Sequence, residues 1–166
     1  SRHDADRLAQ AGFSAWLPKP IQQTMLLDTL SMLRSCLIKK DAPRFVCAGV
    51  RLNAADVTAD KAHAFTHCRV LAVDDNPVNL QIAERMLARF GCQVDTASDG
   101  KQALRLISEQ HYDLILMDCQ MPQMDGYQTT ALLRAAEGDG PHIPIIGWSS
   151  GSNRSERDTC PVSYTH

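Results

Sequence analysis

Three carboxylates of this chain, Asp74, Asp75 and Asp118, each close an apolar run that reads as a buried β-strand. Arg69-Val-Leu-Ala-Val leads into Asp74 and Asp75, and Tyr112-Asp-Leu-Ile-Leu-Met leads into Asp118. In an open parallel sheet, ligands bind beyond the carboxyl ends of the strands, where the strand order reverses. Neighbouring strands at that point bring the carboxylates together, where they repel and one pKa rises. A hard divalent cation removes the repulsion, and Mg²⁺ suits a few oxygen ligands plus retained waters. A carboxylate beside Mg²⁺ can attack phosphorus and form an acyl phosphate. The metal and a nearby cation or hydroxyl then stabilise charge on the equatorial oxygens. Ser149, at the end of Ile143-Pro-Ile-Ile-Gly-Trp148, supplies such a hydroxyl.

The elements that must hold these groups alternate. After Asn76-Pro77, the apolar residues Val78, Ile82, Ala83, Met86, Leu87 and Phe90 recur at helical spacing, and Gly91 closes that helix from C′. Gln93 to Ala97 reads as a short strand. Asp99-Gly100 then opens a helix with Ala103, Leu104 and Ile107 on one face. Gly126 to Ala136 reads as a further helix, stopped by Gly138-Asp-Gly-Pro141. Strands and helices alternating over short connections call for a parallel sheet covered on both faces.

At these residues the chain resembles the receiver, the phosphoacceptor domain of two-component signalling proteins. Val73-Asp74-Asp75-Asn76-Pro77-Val78-Asn79 resembles the acidic signature of the family's first strand. Leu116-Met-Asp118-Cys-Gln120-Met-Pro122-Gln-Met-Asp125-Gly126 resembles its phosphorylation loop, and Pro144-Ile-Ile-Gly-Trp-Ser149 its fourth strand. The resemblance covers roughly 69–150 and implies a flavodoxin-like doubly wound α/β sheet of order 2-1-3-4-5. It makes Asp118 the phosphoacceptor and Asp75 a direct Mg²⁺ ligand. Asp74 stands beside Asp75 or acts through water, Gln120 offers its backbone carbonyl, and Ser149 bonds the phosphoryl group. The implied partner is a histidine kinase or a histidine phosphotransfer domain.

A receiver also needs a Lys-Pro after a fifth strand, and nothing after Ser150 supplies it. Near the N-terminus, however, Gly12-Phe-Ser-Ala-Trp16-Leu-Pro-Lys19-Pro20 resembles that fifth strand, with Trp16 at the switch-aromatic position and Lys19 at the lysine position. Asp4 to Gln10 reads as a helix before it. Ile21, Met25, Leu26, Leu30, Leu33 and Leu37 mark an amphipathic helix after it.

Residues 1–38 therefore read as the C-terminal part of a preceding receiver (helix 4, strand 5, helix 5). Residues 39–68 read as a linker, with a helix over Ala54 to Phe65, and 69–166 as a receiver truncated after strand 4 and part of helix 4. The implied parent is a hybrid sensor histidine kinase with tandem receivers, and Ser1 in place of Met fits a piece of a longer chain. The N-terminal strand can also complete the sheet, within one chain or in a strand-exchanged dimer. About 30 flexible residues reach roughly 30 Å by random-coil scaling.

Composition narrows the rest. Of 166 residues, 44% are hydrophobic and 22% charged, enough for a packed core. A net charge of -2 without a basic stripe gives no reason to expect nucleic acid, and no apolar run approaches the length of a bilayer span, so no membrane contact is expected of this piece. Six cysteines without a CxxC pair read as reduced thiols of a cytoplasmic protein. His63 and His67 beside Cys68 lack further ligands at metal-site spacing.

Each motif has a plainer reading alone: Asp75-Asn76 as a turn or cap, Ser149 as a turn residue, Lys19 as a solvated charge, Trp16 as packing. A phosphohydrolase of the haloacid-dehalogenase kind needs a second acid two residues after its nucleophile, where this chain has Gln120. A module that catalyses only its own phosphorylation and dephosphorylation is expected, with a non-phosphorylated interaction (pseudo-receiver) fragment as the alternative.

Overall fold

The computed structural model describes residues 2–38, 46–47, 65–138 and 142–149. The expected helix over Ala54 to Phe65 and the tail beyond Ser149 fall almost wholly outside them. In chain order the elements are α1 (Arg2–Ala11), β1 (Ala15–Pro18), α2 (Gln23–Ile38), β2 (Val46–Cys47), β3 (Arg69–Val73), α3 (Pro77–Arg89), β4 (Gln93–Ala97), α4 (Gly100–Glu109), β5 (Leu114–Asp118), α5 (Gly126–Glu137) and β6 (Ile145–Ser149).

All strand pairs are parallel, in the order β2-β1-β6-β5-β3-β4. Read from β4, the strands β4-β3-β5-β6 occupy the flavodoxin-like positions 2-1-3-4, and β1, the first strand in the chain, takes the fifth place. The doubly wound sheet and its N-terminal fifth strand thus match expectation. Within 39–68, Val46–Cys47 pairs with Ala15 and Trp16 at the edge of the sheet. The physical reason is the outer edge of β1, whose backbone groups would otherwise lack partners.

Side chains alternate across the sheet, and both faces are buried, which explains the continuous apolar runs. Leu17, Ala72, Leu116 and Trp148 pack on the face covered by Leu26, Leu30 and Leu33 of α2 and by Ala83 and Leu87 of α3. Trp16, Leu71, Val73, Met117 and Ile145 pack on the other, with Leu8 of α1, Ala103 of α4 and Leu133 of α5. Each fully buried Leu contributes about 1.5–3 kcal/mol of apolar burial.

Local signals set the helix ends. The side chain of Asn76 accepts the Val78 N–H at 3.0 Å, with Pro77 in the first turn of α3. Gly91 follows α3 with φ +88°, the left-handed conformation that closes a helix. Asp125 caps α5 in a reciprocal box with Gln128, at 2.8 and 3.3 Å. The fourth core strand begins at Ile145, two residues later than the apolar run suggests. Pro144 has no N–H to give a ladder, and only its carbonyl is used, by Ile115 N–H at 3.0 Å.

The N-terminal segment is tied to the body from Arg7 to Lys19. Ser14 N–H donates to the Ile145 carbonyl at 2.7 Å and Lys19 N–H to the Ser149 carbonyl at 2.8 Å. Arg134 of α5 donates through Nε and Nη2 to the Gly12 carbonyl at 3.0 and 2.7 Å. Phe13 meets Tyr127 edge to face at 5.5 Å, and Arg7 lies 4.6 Å over the same tyrosine ring.

Candidate phosphoacceptor site

The site forms where β3, β5, β6 and β1 end. Register fixes which side chains share a face. Val73 pairs with Met117, Asp118 with Trp148, and Trp148 with Leu17. Asp74, Asp118, Trp148 and Leu17 therefore form one row on the α2–α3 side, and Lys19, two residues past Leu17, rises on that same side.

Asp74 and Asp118 are buried, Asp75 is exposed, and one carboxylate oxygen from each lies within 4.8 Å of the others. The Asp74 carboxylate accepts the Asn76 N–H at 2.8 Å, which turns the chain into α3. Asp118 Oδ1 accepts the Gln120 N–H at 3.1 Å. Lys19 Nζ lies 2.8 Å from Asp74 Oδ2 and 3.2 Å from Asp118 Oδ1. Asp118 Oδ2 is buried without a hydrogen-bond partner.

Electrostatics follow from this packing. Burial pushes the Asp118 carboxyl up to about 7; the Gln120 N–H opposes the rise, the charge of Asp74 adds to it, and the Lys19 ammonium opposes it. Partial burial works against the Lys19 ammonium, but the two carboxylates prevail and its pKa is raised. Three acidic groups with one orphaned buried oxygen fit a hard cation with oxygen ligands. No other such cluster of acidic, histidine or cysteine groups occurs among the described residues.

Ser149 is buried at the end of β6, and its Oγ accepts the Trp16 indole N–H at 3.2 Å. Lys19, Asp74, Asp75 and Asp118, picked out in the sequence, are thus brought together, Gln120 borders them through its N–H, and Trp16 meets Ser149 at the end of β6. The sequence reading missed Trp148. Its indole N–H donates to the Val73 carbonyl at 3.2 Å, and its ring centroid lies 5.0 Å from Lys19 Nζ. It reads in the sequence only as the last apolar residue of a strand, and register alone shows that it shares a face with Asp118.

The profile described as the response regulator receiver domain matches residues 70–160. Sensor protein EvgS of Escherichia coli (strain K12) is 40% identical over 89 residues, 54% of this chain and 7% of that protein. Sensor histidine kinase RcsC of Escherichia coli (strain K12) is 37% identical over 91 residues, 55% of this chain and 9% of that protein. The chain thus spans under a tenth of either relative.

Among solved structures, the receiver domain of the histidine kinase CKI1 from Arabidopsis thaliana, complexed with Mg²⁺ and BeF₃⁻, aligns with a TM-score of 0.54 at 33% identity, covering 64% of this chain and 81% of that one. The D1050A mutant of the same receiver aligns with a TM-score of 0.54 at 35% identity, over 60% of this chain and 77% of that one. Trp16 and Lys19 lie outside the residues matched by the family profile, and Lys19 reaches the acidic cluster through the pairing of β1 with β6. With the acidic strand ends, the sheet order and the match over more than half of its length in agreement, this chain belongs to the response regulator receiver domain family.

Proposed function

We propose that Asp118 accepts a phosphoryl group from a phosphohistidine of a histidine kinase or histidine phosphotransfer domain, in a Mg²⁺-dependent manner, and that the chain answers by switching conformation. The observation that carries this reading is the asymmetry of the Asp118 carboxylate. Oδ1 is held by the Gln120 N–H and Lys19, while the buried Oδ2 has no hydrogen-bond partner and is left to attack. In that attack an Asp118 oxygen bonds to phosphorus, the P–N bond breaks, and its electron pair leaves with the imidazole.

Asp74, Asp75, the Asp118 carboxylate and the Gln120 carbonyl are the groups that would hold Mg²⁺, which when bound offsets negative charge on the transferring phosphoryl oxygens. Lys19 carries a fixed positive charge to the same oxygens. On this reading the Ser149 hydroxyl, which accepts from Trp16, would donate to the phosphoryl group, and the Trp16 contact would be rearranged in the switch. Self-phosphorylation and dephosphorylation are the only catalysis this reading assigns.

The same reading takes 1–38 as the C-terminal part of a preceding receiver whose strand completes this one, 39–68 as the connection, and 69–166 as the receiver proper. It places the chain in the cytoplasmic part of a hybrid sensor histidine kinase. A strand-exchanged dimer would make the same contacts between copies. Intact mass after incubation with Mg²⁺ and acetyl phosphate tests the central claim. A gain of one phosphoryl group, absent in Asp118→Asn, is expected. A folded chain that gains none sinks the reading.

A further inference from the structure

We infer that Trp148 is a positioning residue for the phosphoacceptor site: its indole forms the floor over which Lys19 is held between Asp74 and Asp118. This rests on the phosphoacceptor reading and adds a residue to it. The argument begins with the sheet. β6 lies between β1, which carries the lysine toward the site, and β5, which ends in Asp118. Trp148 is the β6 residue level with both Leu17 and Asp118, on the face from which Lys19 rises. The Lys19 stem must therefore cross residue 148 to bring Nζ within 3.2 Å of Asp118 and 2.8 Å of Asp74.

What stands at residue 148 decides how well that crossing is defined. The indole is 2% exposed, so it has no freedom to swing away. Its N–H donates to the Val73 carbonyl at 3.2 Å, reaching past β5 to the residue before Asp74. One ring thus spans from the strand beside β1 to the strand that carries the acidic pair. The Lys19 ammonium lies 5.0 Å from the ring centroid, within the range where the π face attracts a cation, and that attraction strengthens away from water. An aliphatic side chain would keep only part of the apolar packing and would neither attract the ammonium nor bond to Val73.

The test is a double-mutant cycle in the full chain: wild type, Trp148→Leu, Lys19→Met and the double variant, each assayed for initial phosphoryl uptake from acetyl phosphate with Mg²⁺. Trp148→Leu is expected to lower uptake about tenfold, a change of about 1.4 kcal/mol in barrier. It is expected to lower uptake no further once Lys19 is Met. Trp148→Phe, which keeps an aromatic face, is expected to recover uptake to within about threefold of wild type.

Equal losses from Trp148→Leu with and without Lys19 would show a general structural role and overturn the inference, as would uptake unchanged by Trp148→Leu. Should Trp148→Leu show no cooperative melt, Trp148→Met takes its place in the cycle under the same criteria. Absence of uptake in the wild-type chain would instead remove the phosphoacceptor reading beneath it.

Discussion

The Lys19 ammonium lies 3.2 Å from Asp118 Oδ1, although β1 and β5 come from opposite halves of the chain and are separated in the sheet by β6. A single cation therefore answers two buried carboxylates, and its place in the site depends on how the N-terminal segment docks. Removing the cation leaves Asp74 and Asp118 facing each other with little solvent. Lys19→Met is expected to cost about 1–3 kcal/mol of stability at neutral pH, below the full cost of breaking a buried pair because Asp118 can take up a proton. Mg²⁺ should then raise the melting temperature more in Lys19→Met than in wild type, since the divalent ion answers the same charges. Thermal melts with and without Mg²⁺ decide this, and an equal rise in both chains would count against it.

The Asp118 carboxyl, raised to about 7 mainly by burial, makes stability depend on pH in a definite direction. An unfolded aspartate titrates near ~3.9, so between that value and about 7 the folded chain binds the proton that the unfolded chain releases. The contribution to stability is complete below the unfolded pKa and disappears as pH rises through the folded one. Without Mg²⁺, Asp118→Asn should be more stable than wild type by about 1–3 kcal/mol at pH 8 and by less at pH 5. Urea titrations at the two pH values in a metal chelator measure it. A difference that stays flat with pH removes the claim.

Arg134 offers a way to loosen the N-terminal segment without touching the acidic cluster. Its guanidinium donates twice to the Gly12 carbonyl and once to Glu137, at 2.8 Å, so one side chain fastens the α1–β1 turn to the end of α5. Hydrogen bonds to charged groups contribute about 1.5–3 kcal/mol each, less where water can replace them. Arg134→Met is expected to lower stability by about 1–3 kcal/mol and to speed protease cleavage within the segment before it does so in the body. Limited proteolysis read by mass spectrometry gives the order of cuts. Cleavage first in α3 or α4 would contradict the docking account.

Much of this arrangement was legible because apolar runs ending in acid name both a strand and its ligand-facing end. Asp74, Asp75 and Asp118 are of this kind, and Asn76 shows its cap in the sequence as well. The fifth strand was legible only through its Lys-Pro context, since four residues of β1 carry too little periodicity to declare a partner. Trp148 was not legible, because its part depends on the lateral register of three strands, which no local pattern encodes. The edge strand Val46–Cys47 was missed for a related reason, two residues being below any pattern.

Gly126 shows how closely the end of β5 is packed against the helix that follows. A Cβ at this first residue of α5 would collide with the Asp118 carbonyl oxygen and stand 3.0 Å from Cys119 Cα. Both obstacles are backbone, so neither can rotate aside, and the loop from Cys119 to Asp125 must shift to admit a methyl group. That loop carries the Gln120 N–H that orients Asp118, so the displacement reaches the Asp118 carboxylate. Gly126→Ala is expected to lower stability by about 1–3 kcal/mol, as overpacking does, despite the better helix propensity of alanine. Phosphoryl uptake should fall more than Mg²⁺ binding, because the carboxylates remain while the orientation of one is lost. Parallel denaturation, metal titration and uptake assays on the variant separate the two effects, and a Gly126→Ala chain with wild-type stability and uptake would show that the close approach has no consequence.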